Sequence, residues 1–387
     1  MHAALGASLL FSTAPMPETE AVWVKALKIA ESLGDTAYQL RALCGLWGCR
    51  LTCGEFRVAL TLAQRFYSLA QDRGDPADLP IGDRMIGASL HYWGDQTNAR
   101  HHIERMLSSY VAPVQQLPLV LSQFDNRLAS RVALARILWL QGFPDQARRT
   151  AQSTVDDARA LDHAVSLCWA LNEAACPVAL FTGDLAAAES YVAMLLDSSA
   201  AHALPIWRAE GHRFHGVLLI RNDDFDSGLQ LLRTSLEQPP EANFQPRFTW
   251  FLGELAEGLG RARQIAQGLE VIDEALARSE RNEDRWCVAE LLRIKGELLL
   301  LRGGSGAAAA AEDDYRQALG WACRQGALSW ELRAATSFAR LLRDQNRSAE
   351  AIALLAPIYN RFIEGFDTAD LKAAKALIDS FYKYGGD

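Results

Sequence analysis

Three histidines, an aspartate and a glutamate crowd into HYWGDQTNARHHIERML, residues 91–107. Such side chains can bind a metal ion or move protons. Zinc needs three or four ligands converging on one point, which a helix supplies at spacings of three or four residues. His101 and His102 are adjacent, so on a helix they point about 100° apart. The stretch contains neither His-x-x-x-His nor Glu-x-x-His, and its histidines read as parts of an architecture. Cys44, Cys49 and Cys53 step by five and four, which gives partly divergent directions, so they read as buried thiols. The glycine run GGSG at 303–306 has no following lysine and precedes the acids of AAAAAEDDYRQAL, so it reads as a turn and not a phosphate cradle.

Composition narrows the function classes further. The 387 residues are half hydrophobic and carry a formal net charge of −8, which argues against a nucleic-acid module, since such domains cluster Lys and Arg against phosphates. Ten tryptophans could stack on bases, but they fall among apolar positions and read as packing. Seven cysteines without a Cys-x-x-Cys favour free thiols in a reducing cytosol. The N-terminal MHAALGASLLFSTAP has no Lys or Arg, unlike a signal peptide. No uninterrupted apolar run reaches the roughly 18 residues of a membrane span. The expected setting is cytoplasmic, with no membrane and no cofactor.

Self-similarity explains most of the chain. Helix-like runs ending at a turn residue recur, with anchors at Gly54, Gly94, Gly142, Gly183, Asp223, Arg263, Gly303 and Asn346. Consecutive anchors are 40, 48, 41, 40, 40, 40 and 43 residues apart. Seven residues before the anchor stand Gly87, Ala135, Cys176, Gly216, Ala256, Gly296 and Ala339, with Trp47 the exception. Five after it stand Ala59, Ala99, Ala147, Ala188, Gly228, Gly268, Ala308 and Ala351. Small residues at fixed distances on both sides of a turn let two antiparallel helices approach closely. The turn itself favours residues that tolerate a left-handed backbone. Alternating β-branched runs are missing, so no strand is expected. The expected fold is all-α, a right-handed α-solenoid of about eight to nine antiparallel hairpins with a period of about 41 residues. Residues 1–387 are expected to form one superhelix, with breaks at the proline-bearing stretches near 110–126 and at 237–247.

The small residue, the turn residue and the following alanine resemble the tetratricopeptide repeat pattern, with longer helices. The segment GALSWELRAATSFARLLRDQNRSAEAIALLAPIYNRFIEGFDTADLKAAKALID, residues 326–379, resembles the C-terminal helical-repeat region of bacterial predicted ATPases and ATPase-type transcriptional regulators. WCVAELLRIKGELLL (286–300) and LHYWGDQTNARHHIERML (90–107) fit the same family, and the resemblance extends over essentially the whole chain. In that family an ATPase domain precedes the repeats, often with a winged-helix or cyclase-type domain. No G-x-x-x-x-G-K-[ST] occurs in this sequence, so ATP hydrolysis and DNA binding are not carried over. The apolar, uncapped HAALGASLLFS suggests a first helix that packs on something preceding it.

Function is therefore sought on the inner surface. By analogy with tetratricopeptide repeats, positions ten and six before each anchor face inward. They hold Arg84, Arg136, Glu173, Arg213, Glu257, Arg293, Glu297 and Arg340, joined by His91 and Arg343 three before their anchors. Arg333, Arg340 and Arg343 share a helix face, a basic patch suited to a carboxylate or phosphate. The expected function is non-enzymatic: a module binding a protein, a peptide or an inducer, without a cofactor, as the sensory or scaffold part of a bacterial ATPase-type transcriptional regulator or signalling protein. Expected partners include an ATPase or regulatory domain N-terminal to this region, with a homodimer left open. The alternatives are an enzyme with its active site in the groove and a chaperone-like peptide-binding adaptor.

Overall fold

The computed structural model describes residues 16–110, 125–237 and 246–384. The apolar segment 1–15 lies outside the described residues, as do most of the two stretches expected to break the array. After α1 (Met16–Ser32), helices come in pairs: α2 (Thr36–Thr52) with α3 (Phe56–Arg73), and α4 (Asp78–Trp93) with α5 (Gln96–Ser109). Next come α6 (Asn126–Leu140) with α7 (Pro144–Ala160), and α8 (Ala164–Thr182) with α9 (Leu185–Ala201). The fifth and sixth pairs are α10 (Pro205–Arg221) with α11 (Phe225–Leu236), and α12 (Phe248–Arg261) with α13 (Ile265–Asn282). Then follow α14 (Val288–Arg302) with α15 (Ala307–Gln325), α16 (Leu328–Asp344) with α17 (Ser348–Tyr359), and a final α18 (Ala369–Tyr384). Sequential neighbours pack on one another along the chain, and no strand occurs among the described residues. This is the expected all-α solenoid.

All eight anchors have positive φ, from 62° at Asn346 to 95° at Gly94, with non-glycine residues at Asp223, Arg263 and Asn346. The residue after the turn then starts the second helix. Asp95 accepts a hydrogen bond from the Asn98 amide at 3.1 Å, and Asp184 and Asp224 cap α9 and α11 in the same way. A short carboxylate thus satisfies an amide that the first turn of a helix leaves unpaired.

The small positions mark close helix contacts. A Cβ at Gly87 would lie 2.7 Å from Ile103 and 3.1 Å from the Ala99 carbonyl, and one at Gly228 would lie 2.9 Å from the Gly216 carbonyl. Ala308 departs from the pattern. Gly303 to Gly306 make that turn four residues long, so α15 starts two residues late and Ala311 is fully buried while Ala308 is half-buried. The extra turn residues shift which face of α15 meets α14.

The solenoid winds tightly enough to touch itself. Around Gly94 lie Gln325 and Arg285, around Gly142 lie Leu328 and Phe362, and Ala369 lies against Gly183, with 2.6 to 2.9 Å left for an added Cβ at each. Each of these hairpin turns therefore meets the part of the array five hairpins later. Glycine there supplies both the left-handed φ and the room for a second chain. The Arg285 and Trp286 amides donate to the Tyr92 carbonyl at 3.0 and 3.2 Å. Arg148 grips both oxygens of Asp367 at 3.0 and 2.9 Å, and Gln146 binds Glu364 through its amide and side chain at 2.9 and 3.1 Å.

Replacing Ala99 with Leu should destabilise the protein by about 1–3 kcal/mol through overpacking at the α4–α5 contact, measured by urea denaturation. His101→Gln, on an exposed position of the same helix, should move the midpoint hardly at all.

Candidate functional site

The inner surface has two unlike halves. In the N-terminal half it is filled. Tyr92, Trp139, Phe181, Phe214, Trp250, Trp286 and Trp330 are all buried. Trp139 stacks on Phe181 at 4.4 Å and meets the Trp330 ring edge-on at 4.6 Å. The Trp330 indole donates to the Trp286 carbonyl at 3.0 Å. The aromatics that the sequence places in the core are there, and those of the later hairpins close the groove of the earlier ones.

Beneath these rings runs a buried charge network. Glu173 is on α8, where a π-turn at Leu171–Ala175 interrupts the α-helical ladder. Its two oxygens pair separately with Arg136 of α6 and Arg247, the residue just before α12. Tyr92 donates its hydroxyl to Glu173 at 3.1 Å, and Asn172 donates its side-chain amide at 3.0 Å. Arg247 continues to Glu210 at 3.2 Å, and Glu210 pairs with Arg213, both on α10. Burial raises the Glu173 pKa, but the charges of Arg247 and Arg136 outweigh it and bring the carboxyl down to about 2.

His91 completes this network. Arg136 Nε–H donates to His91 Nε2 at 3.1 Å, which leaves Nδ1–H to donate to Gln96 Oε1 at 2.8 Å. Burial, then the Arg136 charge, depress its pKa to about 3, so the ring is neutral at physiological pH. His102 is elsewhere, bonded to Asp83 at 2.8 Å beside Arg105. His91 thus lies apart from His101 and His102, whose rings meet edge-on at 5.9 Å, and no metal-ligand cluster occurs among the described residues. All seven cysteines are free, and burial pushes the Cys49 and Cys53 thiols up to about 12 and about 11.

In the C-terminal half the inner surface stays open. A cavity of about 150 Å³ is lined by Arg221, Glu257, Glu290, Arg293, Arg333 and Arg340, with Thr336, Ser337 and Asp370. Five helices contribute: α10, α12, α14, α16 and α18. Arg293 binds Glu290 at 2.8 Å and Glu257 at 2.7 Å. Arg333 binds Glu290 at 3.0 Å and Asp370 at 2.8 Å, with its guanidinium over the Trp139 and Trp330 rings. Burial would raise the Glu290 pKa, yet Arg293 and Arg333 hold it below the usual carboxylate range. Arg340 is exposed, and among the described residues no carboxylate pairs with it.

The residues expected in one groove therefore divide. Glu257, Arg293, Arg333 and Arg340 line the cavity, and Glu297 borders it by accepting from Ser337 at 2.6 Å. Arg343 pairs at the surface with its neighbour Asp344 at 3.0 Å. Arg84, His91, Arg136, Glu173 and Arg213 are buried; around Glu173, Arg247 and the rings of the returning hairpins occupy the space that the repeat alone leaves open. Sequence spacing missed Arg221, Glu290 and Asp370 in the cavity. Glu290 was within reach of that reasoning, being three residues before Arg293, whereas Asp370 lies past the last anchor.

A second depression, of about 390 Å³, runs along the seam where the array meets itself, with His101, Arg100, Phe143, Leu328 and Arg361 in its walls. α8 is long and apolar enough to cross a membrane by length and composition. It carries Glu173 and is largely buried within the solenoid.

Against known proteins, a scan of protein-family models finds no match, and no curated protein matches the sequence. Solved structures do. The crystal structure of a Rap protein complexed with competence and sporulation factor is 12% identical over 90% of this chain and 98% of that one, with a TM-score of 0.52. The apo form of RapI is 10% identical over 78% and 99%, with a TM-score of 0.47. Aspartyl phosphate phosphatase F from Bacillus subtilis is 10% identical over 96% and 94%, also at 0.47. At such identities the first of these likenesses is one of fold, and it places the chain among tetratricopeptide-like helical-repeat proteins.

Glu173→Gln should cost about 3–5 kcal/mol, since it leaves Arg136 and Arg247 without their shared counter-charge. Acid should act through the same groups. His91 and Glu173 both have depressed folded pKa values, so the unfolded chain takes up their protons first. Stability is then full above about pH 6.5, the unfolded histidine value, and falls through His91 and next through Glu173 as the pH drops. Asp284 and Asp314, whose burial raises their pKa values to about 7 and about 6, act in the opposite sense, so the measurement is a comparison: the urea midpoint of the wild type relative to that of His91→Gln should fall between pH 7.5 and 4.

Proposed function

We propose that this chain is a non-enzymatic, cytosolic binding module that captures an acidic segment of a protein or peptide in the cavity of its C-terminal half. The observation that carries this reading is Arg340, exposed at the rim of a cavity whose other arginines are already matched with carboxylates. A carboxylate or phosphate entering there meets one uncommitted guanidinium, with Arg293 behind it. Rigid helices on five sides fix those groups before the ligand arrives, which lowers the entropic cost of binding.

The resemblance of residues 326–379 to the repeat region of ATPase-type transcriptional regulators supports a finer reading. The module would be the sensory or scaffold part of such a regulator, with its whole length acting as one superhelical body. An open reading frame continuing upstream of Met1 into a P-loop ATPase would agree with it. A stand-alone gene with no such neighbour would count against it.

Arg340→Glu should abolish capture of acidic peptides on an array while lowering the melting temperature by only a few degrees. Capture that survives the charge reversal rules out the cavity as the binding site.

A further inference from the structure

Five arginines are buried among the described residues: Arg84, Arg136, Arg213, Arg247 and Arg293. Four of them pair with Glu173, Glu210, Glu257 or Glu290. Arg84, on α4 and only 5% exposed, has no carboxylate partner among the described residues. Its guanidinium lies over the Trp47 ring at 4.9 Å and within hydrogen-bonding reach of the Cys44 thiol, and its Nε has no hydrogen-bond partner. A buried cation without a counter-charge is costly, because neither a ring face nor a thiol replaces the water it has lost.

A second unmatched group lies in the same neighbourhood. Tyr110, which follows α5, is close enough to Arg84 to feel its charge and lies within hydrogen-bonding reach of the Asn126 side chain at the start of α6. Asn126 Oδ1 is shielded from solvent and has no partner among the described residues either. One place on the inner side of the second and third hairpins therefore holds an unsatisfied cationic donor and an unsatisfied acceptor. It is not sealed, since Cys44, Tyr110 and Asn126 are each half-buried.

We propose that Arg84, with Tyr110 and Asn126, forms a binding site for a small organic carboxylate that carries an adjacent N–H or O–H donor, as the C-terminal residue of a peptide does. The carboxylate neutralises Arg84 and accepts from its free Nε–H, and the ligand's donor fills the open acceptor on Asn126. Trp47, held by its own hydrogen bond to Ser89 at 2.9 Å, backs the guanidinium and keeps it oriented. This site is separate from the Arg340 cavity and does not depend on it.

The test uses the full chain and three probes: N-acetylglycine, its uncharged amide and inorganic phosphate. N-acetylglycine should raise the melting temperature in a concentration-dependent way by mass action, and the amide and phosphate should not. Arg84→Met should abolish that rise and leave the unliganded melting temperature unchanged or higher, since it removes an uncompensated buried charge while keeping the packing. Arg340→Glu should keep the rise, which separates this site from the cavity. The proposal is overturned if N-acetylglycine gives no shift, if phosphate gives an equal one, or if Arg84→Met lowers the unliganded melting temperature as Glu173→Gln is expected to.

Discussion

One carboxylate, Glu173, sets the geometry of the inner surface. Buried and ionised, it must be matched, and it is matched by two arginines from opposite directions along the chain, Arg136 before it and Arg247 after it. The pairing ties α6, α8 and the entry to α12 to one point. The π-turn in α8 spans that point, so a helical irregularity and the charge it carries coincide. A buried ion pair of this kind contributes little net stability when made, yet removing one partner is expensive. All three charges are matched only when α6, α8 and the entry to α12 are held together as they are here.

That arrangement lets the array close on itself. The aromatic rings above the network come from both early and late hairpins, Trp139 and Phe181 meeting Trp286 and Trp330. Their contact consumes the early groove. The polar seam from Arg148–Asp367 and Gln146–Glu364 to the backbone bonds at Tyr92 follows the same closure at the rim. Only the later hairpins, with no further turn of the solenoid above them among the described residues, keep an inner surface open to a partner.

The hairpin fold was legible because its causes are local. Each repeat carries a left-handed turn, seven of the eight carry small residues on both sides of it, three add a capping aspartate, and all eight turns adopt the backbone that their positions imply. The departure at Ala308 also has a local cause, the longer GGSG turn. Closure was not legible in this way. It depends on the summed rotation of five hairpins, and no single repeat encodes that sum. Arg247, which completes the central network, stands outside the inward positions of the repeat, beside a proline-bearing stretch that interrupts the helical pattern, where spacing gives no direction.

The inward positions show what a repeat pattern can and cannot say about function. Positions ten and six before the anchor do face the axis in both halves, so Arg136 and Glu173 are equivalent in register to Arg293 and Arg340. Their environments differ. Arg136, Glu173 and Arg293 are buried with their charges matched, and Arg340 faces solvent with no carboxylate among the described residues to match it. Direction is a property of the repeat, set by helix geometry, whereas exposure is a property of the superhelix. Arg84 joins the two cases: inward by register and buried by packing, it lacks the counter-charge that every other buried arginine among the described residues has found within the chain.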